Sequence, residues 1–209
     1  MTQPATGTAG SPGSPGMTLV PRDGQRFRFD AGALCLELLL TGGPGPVASR
    51  YESLDHPDGL LAWVRGCRLP AGLDADLVVT DDATARFRTV RDALWRLALA
   101  RAEGEPYAPA DLAVLNEAAA APPLVTLLAP DGTRAWGAGA TATALLATVA
   151  RDAVDLFTGP HADRVRVCAA DDCALLFVDT SRPGARRWCS MTRCGNRHKA
   201  RAHRARTTS

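Results

Sequence analysis

The sequence predicts an α+β protein: a mostly helical N-terminal domain with one β-hairpin, then a small C-terminal four-cysteine module that ends in a basic helix. Three observations predict this fold. Apolar residues recur at helical spacing in several segments between residues 33 and 157. Four cysteines form two matched pairs near the C-terminus. The charge is divided unequally between the two parts, although the 209 residues together carry a net charge of only +2.

The first sixteen residues are rich in Gly, Pro, Ser and Thr, and we expect residues 1–20 to form a disordered tail. Such a composition buries too little apolar surface to offset the entropy lost on ordering. The tail has neither the basic start nor the apolar stretch of a secretory signal. No run in the sequence approaches the roughly 18 apolar residues of a membrane span. We therefore expect a cytoplasmic protein.

Strand and helix patterns alternate in the segments that follow. Residues 25–29 alternate polar and aromatic side chains, as in a short strand, whereas residues 33–40 are almost continuously apolar and predict a buried helix. A second helix begins near Pro57, because proline is favoured in the first turn. The longest helix is predicted to follow the capping residue Thr80 and to end at Gly104. Its inward-facing residues are predicted to be Phe87, Val90, Leu94, Leu97 and Ala98.

The helical domain, which we place at residues 21–160, contains one predicted hairpin. A short helix follows Pro109. Residues 124–128 and 134–136 read as two strands, and the Pro-Asp-Gly sequence between them is typical of a turn. Thr141 is predicted to cap a last helix, which stops at a Gly-Pro pair.

Four cysteines near the C-terminus predict a zinc site. Cys168 and Cys173 form one C-x4-C pair, Cys189 and Cys194 form another, and fifteen residues separate the pairs. Zinc prefers four ligands at the corners of a tetrahedron, and two short cysteine loops that face each other supply four thiolates. We therefore predict one structural zinc ion in a module at residues 161–209. Folding of that module would be coupled to metal binding.

Two alternatives compete with a zinc site. Two disulfides would need an oxidising compartment, yet six cysteines in 209 residues without a secretory signal do not resemble a secreted scaffold. Unrelated buried thiols are the second alternative, because free cysteine packs as a small hydrophobic residue. We assign Cys35 and Cys67, each alone in an apolar run, to buried thiols, and the four paired cysteines to zinc.

The charge distribution predicts a polyanionic partner for the C-terminal part. Residues 161–209 contain eleven Lys and Arg against four Asp and Glu, a net charge of +7, while the other 160 residues carry −5. Nucleic acid is the first candidate for such a partner. A helix predicted at residues 194–206 presents basic side chains on two strips, and the alternative is a solvated basic tail. One strip contains Arg193, Arg197, Arg201 and Arg204, and the other contains Lys199, His203 and Arg206.

The loop before the third paired cysteine adds further candidates. Arg182, Arg186 and Arg187 are candidates for phosphate contacts. Alternatively, Arg186 or Arg187 pairs with Asp179 and holds the loop in place. Two aromatic residues of the module are expected to cover the metal as a miniature core, and a glycine to let the backbone turn tightly beside it. The residues expected to support the metal site are Phe177, Asp179, Trp188, Gly195 and Asn196.

The sequence contains no motif that would predict an enzyme. Nucleophile-elbow, zinc-protease, phosphate-loop and dinucleotide-binding patterns are absent. The single histidine of the N-terminal part, His56, lies between Asp55 and Pro57, where a capping or surface role is the simpler explanation. Adjacent carboxylates at residues 81–82 and 171–172 fit a helix start and a loop tip. We therefore expect a protein that is not an enzyme.

The C-terminal run resembles the CGNR zinc finger. The elements that carry this resemblance are Phe177 and Asp179, Ser181 and Arg182, residues 187–191 (RWCSM) and residues 194–197 (CGNR). The preceding part is similar to the ABATE domain of proposed stress-induced transcription regulators. The matching segments are residues 34–41, residues 61–63, the helix around Arg91, residues 115–116 and the helix before His161.

This resemblance implies a bacterial transcription regulator whose finger binds DNA, and double-stranded DNA is the first candidate. The first domain would sense a small molecule or form a homodimer. Four thiolates would close the coordination sphere of the zinc, so the metal would be structural. Two alternatives remain open: an adaptor whose finger docks an acidic protein, and an enzyme with a pocket in the first domain.

Overall fold

The computed structural model describes residues 16–21 and 23–207, which form an α+β fold. The helices are α1 (Leu34–Leu38), α2 (Pro57–Gly66), α3 (Asp81–Glu103), α4 (Pro109–Ala120), α5 (Ala142–Thr158) and α6 (Asn196–Thr207). The strands form antiparallel hairpins, β1 (Met17–Leu19) with β2 (Phe27–Phe29), β3 (Thr126–Leu128) with β4 (Arg134–Trp136), and β5 (Val165–Val167) with β6 (Leu176–Val178). Among these residues, no helix is both long and apolar enough to cross a lipid bilayer.

The N-terminal hairpin lies partly in the segment that we expected to be disordered. Met17 pairs with Phe29 and Leu19 pairs with Phe27. The part of the chain before the cysteine module therefore contains this hairpin in addition to the predicted hairpin of β3 and β4. The expectation of disorder was wrong for residues 16–20, and its remainder, residues 1–15, lies outside the described residues. The physical reason is a tertiary contact: Met17 and Leu19 pack against the hydrophobic core, and a low-complexity neighbourhood does not prevent that burial.

The longest helix, α3, has the predicted start, end and inward face. The Thr80 hydroxyl accepts a hydrogen bond from the backbone N–H of Ala83 at 3.1 Å, as an N-cap should. Gly104 ends the helix in the left-handed conformation, with φ of 75°. All five predicted inward residues are buried, and α3 packs against α4 and α5. The helical period of the apolar residues therefore located this face correctly.

The other predicted elements also occur, with small shifts at their ends. Proline occupies the first turn of both α2 and α4. The Thr141 hydroxyl caps α5 by accepting from the N–H of Ala144 at 3.1 Å. The predicted helix at residues 33–40 is shorter, because α1 ends at Leu38 and a 3-10 turn continues to Thr41.

Two buried ionic groups lie among the apolar residues of this fold. Glu37 is fully buried and accepts hydrogen bonds from the Arg68 backbone N–H at 2.8 Å and from its guanidinium at 3.1 Å. Burial raises the pKa of Glu37 despite this pairing. Arg91 is also buried and donates two hydrogen bonds of 2.7 Å to Glu52 and one of 2.8 Å to Asp92. Both charges therefore have the partners that burial requires.

The C-terminal part shares one hydrophobic core with the rest of the chain. Strand β5 packs against α3, and the backbone N–H of Val178 in β6 donates to the carbonyl of Ala31 at 2.9 Å. Gly32 permits this close approach, because its φ is +87° and a Cβ there would lie 2.7 Å from the Cβ of Val178. The cysteine module is thus docked on the helical part through backbone and core contacts.

Candidate metal centre and basic surface

The first cysteine pair closes the hairpin formed by β5 and β6. The backbone N–H of Cys168 donates to the carbonyl of Leu175 at 2.9 Å, which extends the ladder beyond the strands. The N–H of Cys173 donates to the carbonyl of Ala170 at 3.0 Å and closes the turn. Because these bonds fix both ends of one short loop, the two thiols lie on the same side of it.

The second cysteine pair is carried by the segment that leads into α6. Cys194 lies in a π-helical turn at Met191–Gly195, directly before the helix begins at Asn196. The N–H of Ala169 donates to the carbonyl of Arg187 at 2.9 Å and joins the second pair's loop to the first. The basic helix therefore starts two residues after a metal-ligand candidate, with no flexible linker between them.

The four sulfur atoms have the spacing of a tetrahedral zinc site. The Sγ atoms of Cys168, Cys173, Cys189 and Cys194 all lie within 4.8 Å of one another. The Sγ of Cys189 is 3.8 Å from that of Cys173 and 3.4 Å from that of Cys194. Zinc–sulfur bonds of about 2.3 Å in a tetrahedron place the sulfurs about 3.8 Å apart. A disulfide needs about 2.05 Å, so these distances fit a metal and do not fit two disulfides.

Hydrogen bonds within the cluster favour the thiolate form of Cys168, while they raise the pKa of the two thiols that donate them. The Cys173 and Cys189 side chains lower the pKa of Cys168, because their thiols donate to its sulfur. The backbone N–H of Cys189 also points at the Sγ of Cys168, at 3.4 Å. A zinc ion displaces the remaining thiol protons when it binds. The cluster is therefore a site for one structural zinc ion.

Arg197 supports the metal site from α6. Its Nη2 lies 3.2 Å from the Sγ of Cys194 and 3.1 Å from a carboxylate oxygen of Asp172. Four thiolates around Zn²⁺ carry a formal charge of −2, which a nearby guanidinium stabilises. Burial lowers the pKa of Arg197, but the hydrogen bond to Cys194, together with the charges of Cys194, Asp172 and Cys173, outweighs it and raises the pKa. This arginine of the C-G-N-R sequence thus links the helix to both cysteine loops.

The loop between the two cysteine pairs is held by Asp179, which is fully buried. Its carboxylate accepts from the N–H and the hydroxyl of Ser181 at 2.9 and 2.6 Å, and from the backbone N–H of Arg186 at 2.8 Å. The Arg186 guanidinium donates to the carbonyls of Trp188 and Cys189 at 3.0 and 2.5 Å. Arg186 therefore helps to hold the loop in place, which was the alternative hypothesis for this residue. Its contact with Asp179 is made by the backbone N–H and not by the guanidinium.

Two aromatic residues pack around the cysteine loops. Phe177 is fully buried, and the Arg186 guanidinium lies 4.1 Å from the centroid of its ring. Trp188 is half-buried, with its ring centroid 4.8 Å from that of His198 in α6. The Arg187 guanidinium lies 5.3 Å from the centroid of the Trp188 ring. Trp188 thus places the loop beside the N-terminal half of the basic helix.

The other two residues predicted to support the metal have different roles from those expected. Gly195 is buried within a helical turn and is not among the glycines with positive φ, so this turn does not need the left-handed conformation that glycine allows. Its small size keeps the contact uncrowded, because a Cβ would lie 3.0 Å from the Met191 sulfur and 3.3 Å from Trp188. Asn196 is exposed and donates to the carbonyl of Thr192 at 3.3 Å, which stabilises the start of α6.

The first predicted basic strip faces acidic residues of the protein itself. Arg193 forms an ion pair with Asp23, and both Arg197 and Arg201 form ion pairs of 3.1 Å with Asp172. Sequence reasoning missed both partners. Asp172 lies within the first cysteine loop, directly before Cys173, and could have been considered, but nothing in the sequence connects Asp23 with a residue 170 positions away. Besides Arg201, which is exposed but paired with Asp172, the exposed candidates for phosphate contact are Arg182, Arg187, Lys199, Arg204 and Arg206.

Comparisons with known protein families agree with these features. Residues 164–207 match the CGNR zinc finger, the segment that contains all four clustered cysteines. Residues 32–160 match the ABATE family model, whose description reads "Putative stress-induced transcription regulator". No curated protein matches the sequence. Both resemblances stated from the sequence are confirmed, and the ABATE match covers more than half of the chain. The chain therefore belongs to the ABATE family and carries a CGNR zinc finger at its C-terminal end.

Proposed function

We propose that this protein is a zinc-dependent DNA-binding transcription regulator that acts in the bacterial cytoplasm without catalysing a reaction. The observation that carries the proposal is the direct connection between the zinc cluster and the basic helix. Cys194 lies two residues before the start of α6, so a bound metal would fix the direction in which the helix presents its cations. A fixed array of cations meets phosphates at a lower entropic cost than a flexible tail.

The surface proposed to contact DNA is the second basic strip together with the loop beside it. Lys199, His203 and Arg206 fall within about 60° of one another around the helix axis at 3.6 residues per turn, and all three are exposed. Arg187 joins this surface through the Trp188 ring, which also contacts His198 of the helix. An α-helix fits the major groove of DNA, and flanking cations contact the phosphates on either side.

The ABATE part is proposed to regulate the finger, as a ligand-sensing or dimerising domain. The shared core and the bond between Val178 and Ala31 support this role, since a change in the helical part would be transmitted directly to the finger. The family description that names a transcription regulator and the match to a zinc finger support this role.

The experiment that tests DNA binding is a salt titration with the full chain. If the finger neutralises about five phosphates, the logarithm of the association constant should fall with the logarithm of salt concentration with a slope near about −4.5. A Cys189→Ser variant should lose this binding because it loses a zinc ligand. Cys67→Ser is the matched control, since Cys67 is half-buried and lies outside the cluster.

Two results would contradict the proposal. A slope near zero would favour an adaptor whose finger docks an acidic protein. Equal DNA binding by the wild-type protein and Cys189→Ser would mean that the zinc-ordered finger does not hold the nucleic acid.

A further inference from the structure

We propose that the cleft between the zinc finger and the ABATE part binds a small carboxylate with an apolar body. The cleft has a volume of about 330 Å³ and three walls. One wall is the N-terminal hairpin, the second is the segment after α1, and the third is formed by the two cysteine loops. Clefts of this volume at the boundary between two units are common ligand sites. The inference deepens the proposed function. The binding site itself does not depend on that function, and only the role of the carboxylate as an effector of the regulator rests on it.

Most of the cleft wall is apolar. The side chains that give it this character come from all three walls, so an occupant would contact the ABATE part and the finger at the same time. They include Leu19, Phe27, Leu39, Val47, Tyr51 and Leu175. A ligand with a short aliphatic or aromatic body would remove this surface from water, which favours binding by about 25 cal/mol per Å² of apolar area buried.

Cationic groups line the finger side of the same cleft. Arg193 and Arg197 both belong to its wall. The Nε of Arg197 is buried and has no hydrogen-bond partner, which is costly for a charged donor. A ligand oxygen that approaches the Arg197 guanidinium from the cleft could supply the missing acceptor. The carboxylates that these arginines now contact, Asp23 and Asp172, are 49% and 42% exposed, so a ligand can compete for the arginines without breaking a buried pair.

The charge of the wall favours a monoanion over a phosphate. Glu52 and Asp172 balance the charge of the two arginines, and three cysteines of the zinc cluster, which is negative when loaded, also line the cleft, so the wall carries no excess positive charge. A phosphate monoester, with close to two negative charges, would be repelled by both carboxylates. A carboxylate carries one charge and matches the planar fork of a guanidinium. The acceptor chemistry that fits is therefore a single carboxylate.

Binding at this position would act directly on the finger. Cys173, Cys189 and Cys194 form part of the wall, and Arg197 also contacts the Cys194 sulfur. A carboxylate that holds Arg193 and Arg197 would weaken their ion pairs with Asp23 and Asp172. Ligand occupancy is thus coupled to the contacts that orient the start of α6, which is what an effector site requires.

The test is isothermal titration calorimetry of the zinc-loaded full chain with octanoate and with 3-phenylpropionate. Octanol and octylamine are the matched neutral and cationic probes. We expect at least one carboxylate to bind with a dissociation constant of about 1 mM or tighter, and the alcohol and the amine to bind at least about tenfold more weakly. Failure of both carboxylates, or equal binding of octanol, would overturn the proposal.

Variants locate the site. Val20→Trp places a bulky ring in the cleft wall at a residue that is 55% exposed, so the fold should tolerate it, and carboxylate affinity should fall at least about tenfold. Val78→Trp is the matched control, because Val78 is 79% exposed and does not line the cleft. Equal loss in both variants, or no loss in Val20→Trp, would contradict the location.

The calorimetry is carried out without DNA, so it separates this inference from the proposed function. If the chain binds a carboxylate but does not bind DNA, the carboxylate site is supported and the proposed regulatory function is refuted. If the chain binds DNA but neither carboxylate binds in calorimetry, the carboxylate site is refuted and the proposed function is unaffected.

Discussion

Arg193 at the zinc cluster forms an ion pair with Asp23 of the N-terminal hairpin loop, with 2.8 Å between Nη2 and Oδ2. The arginine side chain is only 13% exposed, and its guanidinium lies 5.0 Å from the centroid of the Phe27 ring. The hydrogen bond from Arg193 lowers the pKa of Asp23. A cation assigned from the sequence to phosphate contact is therefore already paired within the chain.

Removal of the acidic partners should strengthen DNA binding. Asp172 pairs with Arg197 and Arg201 as Asp23 pairs with Arg193, so an Asp23→Asn, Asp172→Asn double variant leaves three arginines for phosphates. Each new phosphate contact should steepen the salt slope by about 0.9, and affinity at low salt should rise. The measurement is a fluorescence-anisotropy salt titration with duplex DNA.

The control for that variant removes the same charge elsewhere. Glu103→Gln with Glu105→Gln neutralises two exposed carboxylates near the end of α3. The control should raise affinity much less, because it frees no arginine of the finger. Equal gains in the two double variants would mean that general repulsion, and not competition for the arginines, limits binding.

Loss of a cation from the exposed strip should flatten the salt slope. Lys199→Gln and Arg206→Gln should each reduce its magnitude by about 1 and weaken binding to all sequences alike. Arg86→Gln, at a side chain that is 52% exposed on α3, removes a charge far from the strip in sequence and should leave the slope unchanged. A strip variant with the wild-type slope would show that the residue does not contact phosphate.

Asp179→Asn should destabilise the finger by about 2 kcal/mol. The Asp179 carboxylate accepts from the backbone N–H groups of Ser181 and Arg186. Asparagine keeps only one acceptor oxygen, so its N–H₂ group would face one of these N–H donors and leave it without an acceptor. Zinc release to a chelator, followed over time, is a suitable measurement and should be faster in the variant. Asp171→Asn is the control, because Asp171 is exposed in the neighbouring cysteine loop, and it should release zinc at the wild-type rate.

Glu52→Gln should lower the free energy of unfolding by about 2 kcal/mol at neutral pH. Burial works to raise the pKa of Glu52, but hydrogen bonds from Arg91 and the Leu54 N–H outweigh it and hold the pKa below its ordinary value of 4.5. A carboxyl group with a lowered pKa in the fold stabilises it above the unfolded pKa, and this stabilisation is lost as pH falls through the folded pKa.

The difference in unfolding free energy between wild-type protein and Glu52→Gln should therefore shrink below about pH 4.5. Urea unfolding followed by far-UV circular dichroism measures it, and any zinc loss at low pH is common to both proteins. A difference that stays constant with pH would mean that the Glu52 charge does not contribute to stability.

Local signals in the sequence predicted much of the fold and the position of the metal site. Thr80 and Thr141 cap α3 and α5 as expected, because a cap depends on residues within one helical turn. The cysteine pairs were recognisable for a similar reason, since each pair lies in one short loop. The helical period also grouped Arg197 with Arg201 correctly, and both bind Asp172.

What the sequence could not predict depends on contacts between distant segments. Whether the Arg197 side of α6 faces DNA or the protein is decided by Asp172 and Asp23, which lie on other elements. Strand β1 forms because Met17 and Leu19 reach a core built by helices far along the chain. The cleft, likewise, exists only where three separate segments meet. Secondary-structure propensity and residue spacing carry no information about contacts between segments that are distant in the sequence.

Zinc coordination in the purified, fully reduced full chain tests the central claim most directly. X-ray absorption at the zinc edge, combined with elemental analysis, should find one zinc ion per chain with four sulfur neighbours at about 2.3 Å. Cys189→Ser should lose that signal together with the folded state of the finger. A metal-free chain whose residues 164–207 remain folded would contradict the claim that sulfur-bound zinc orders the basic helix.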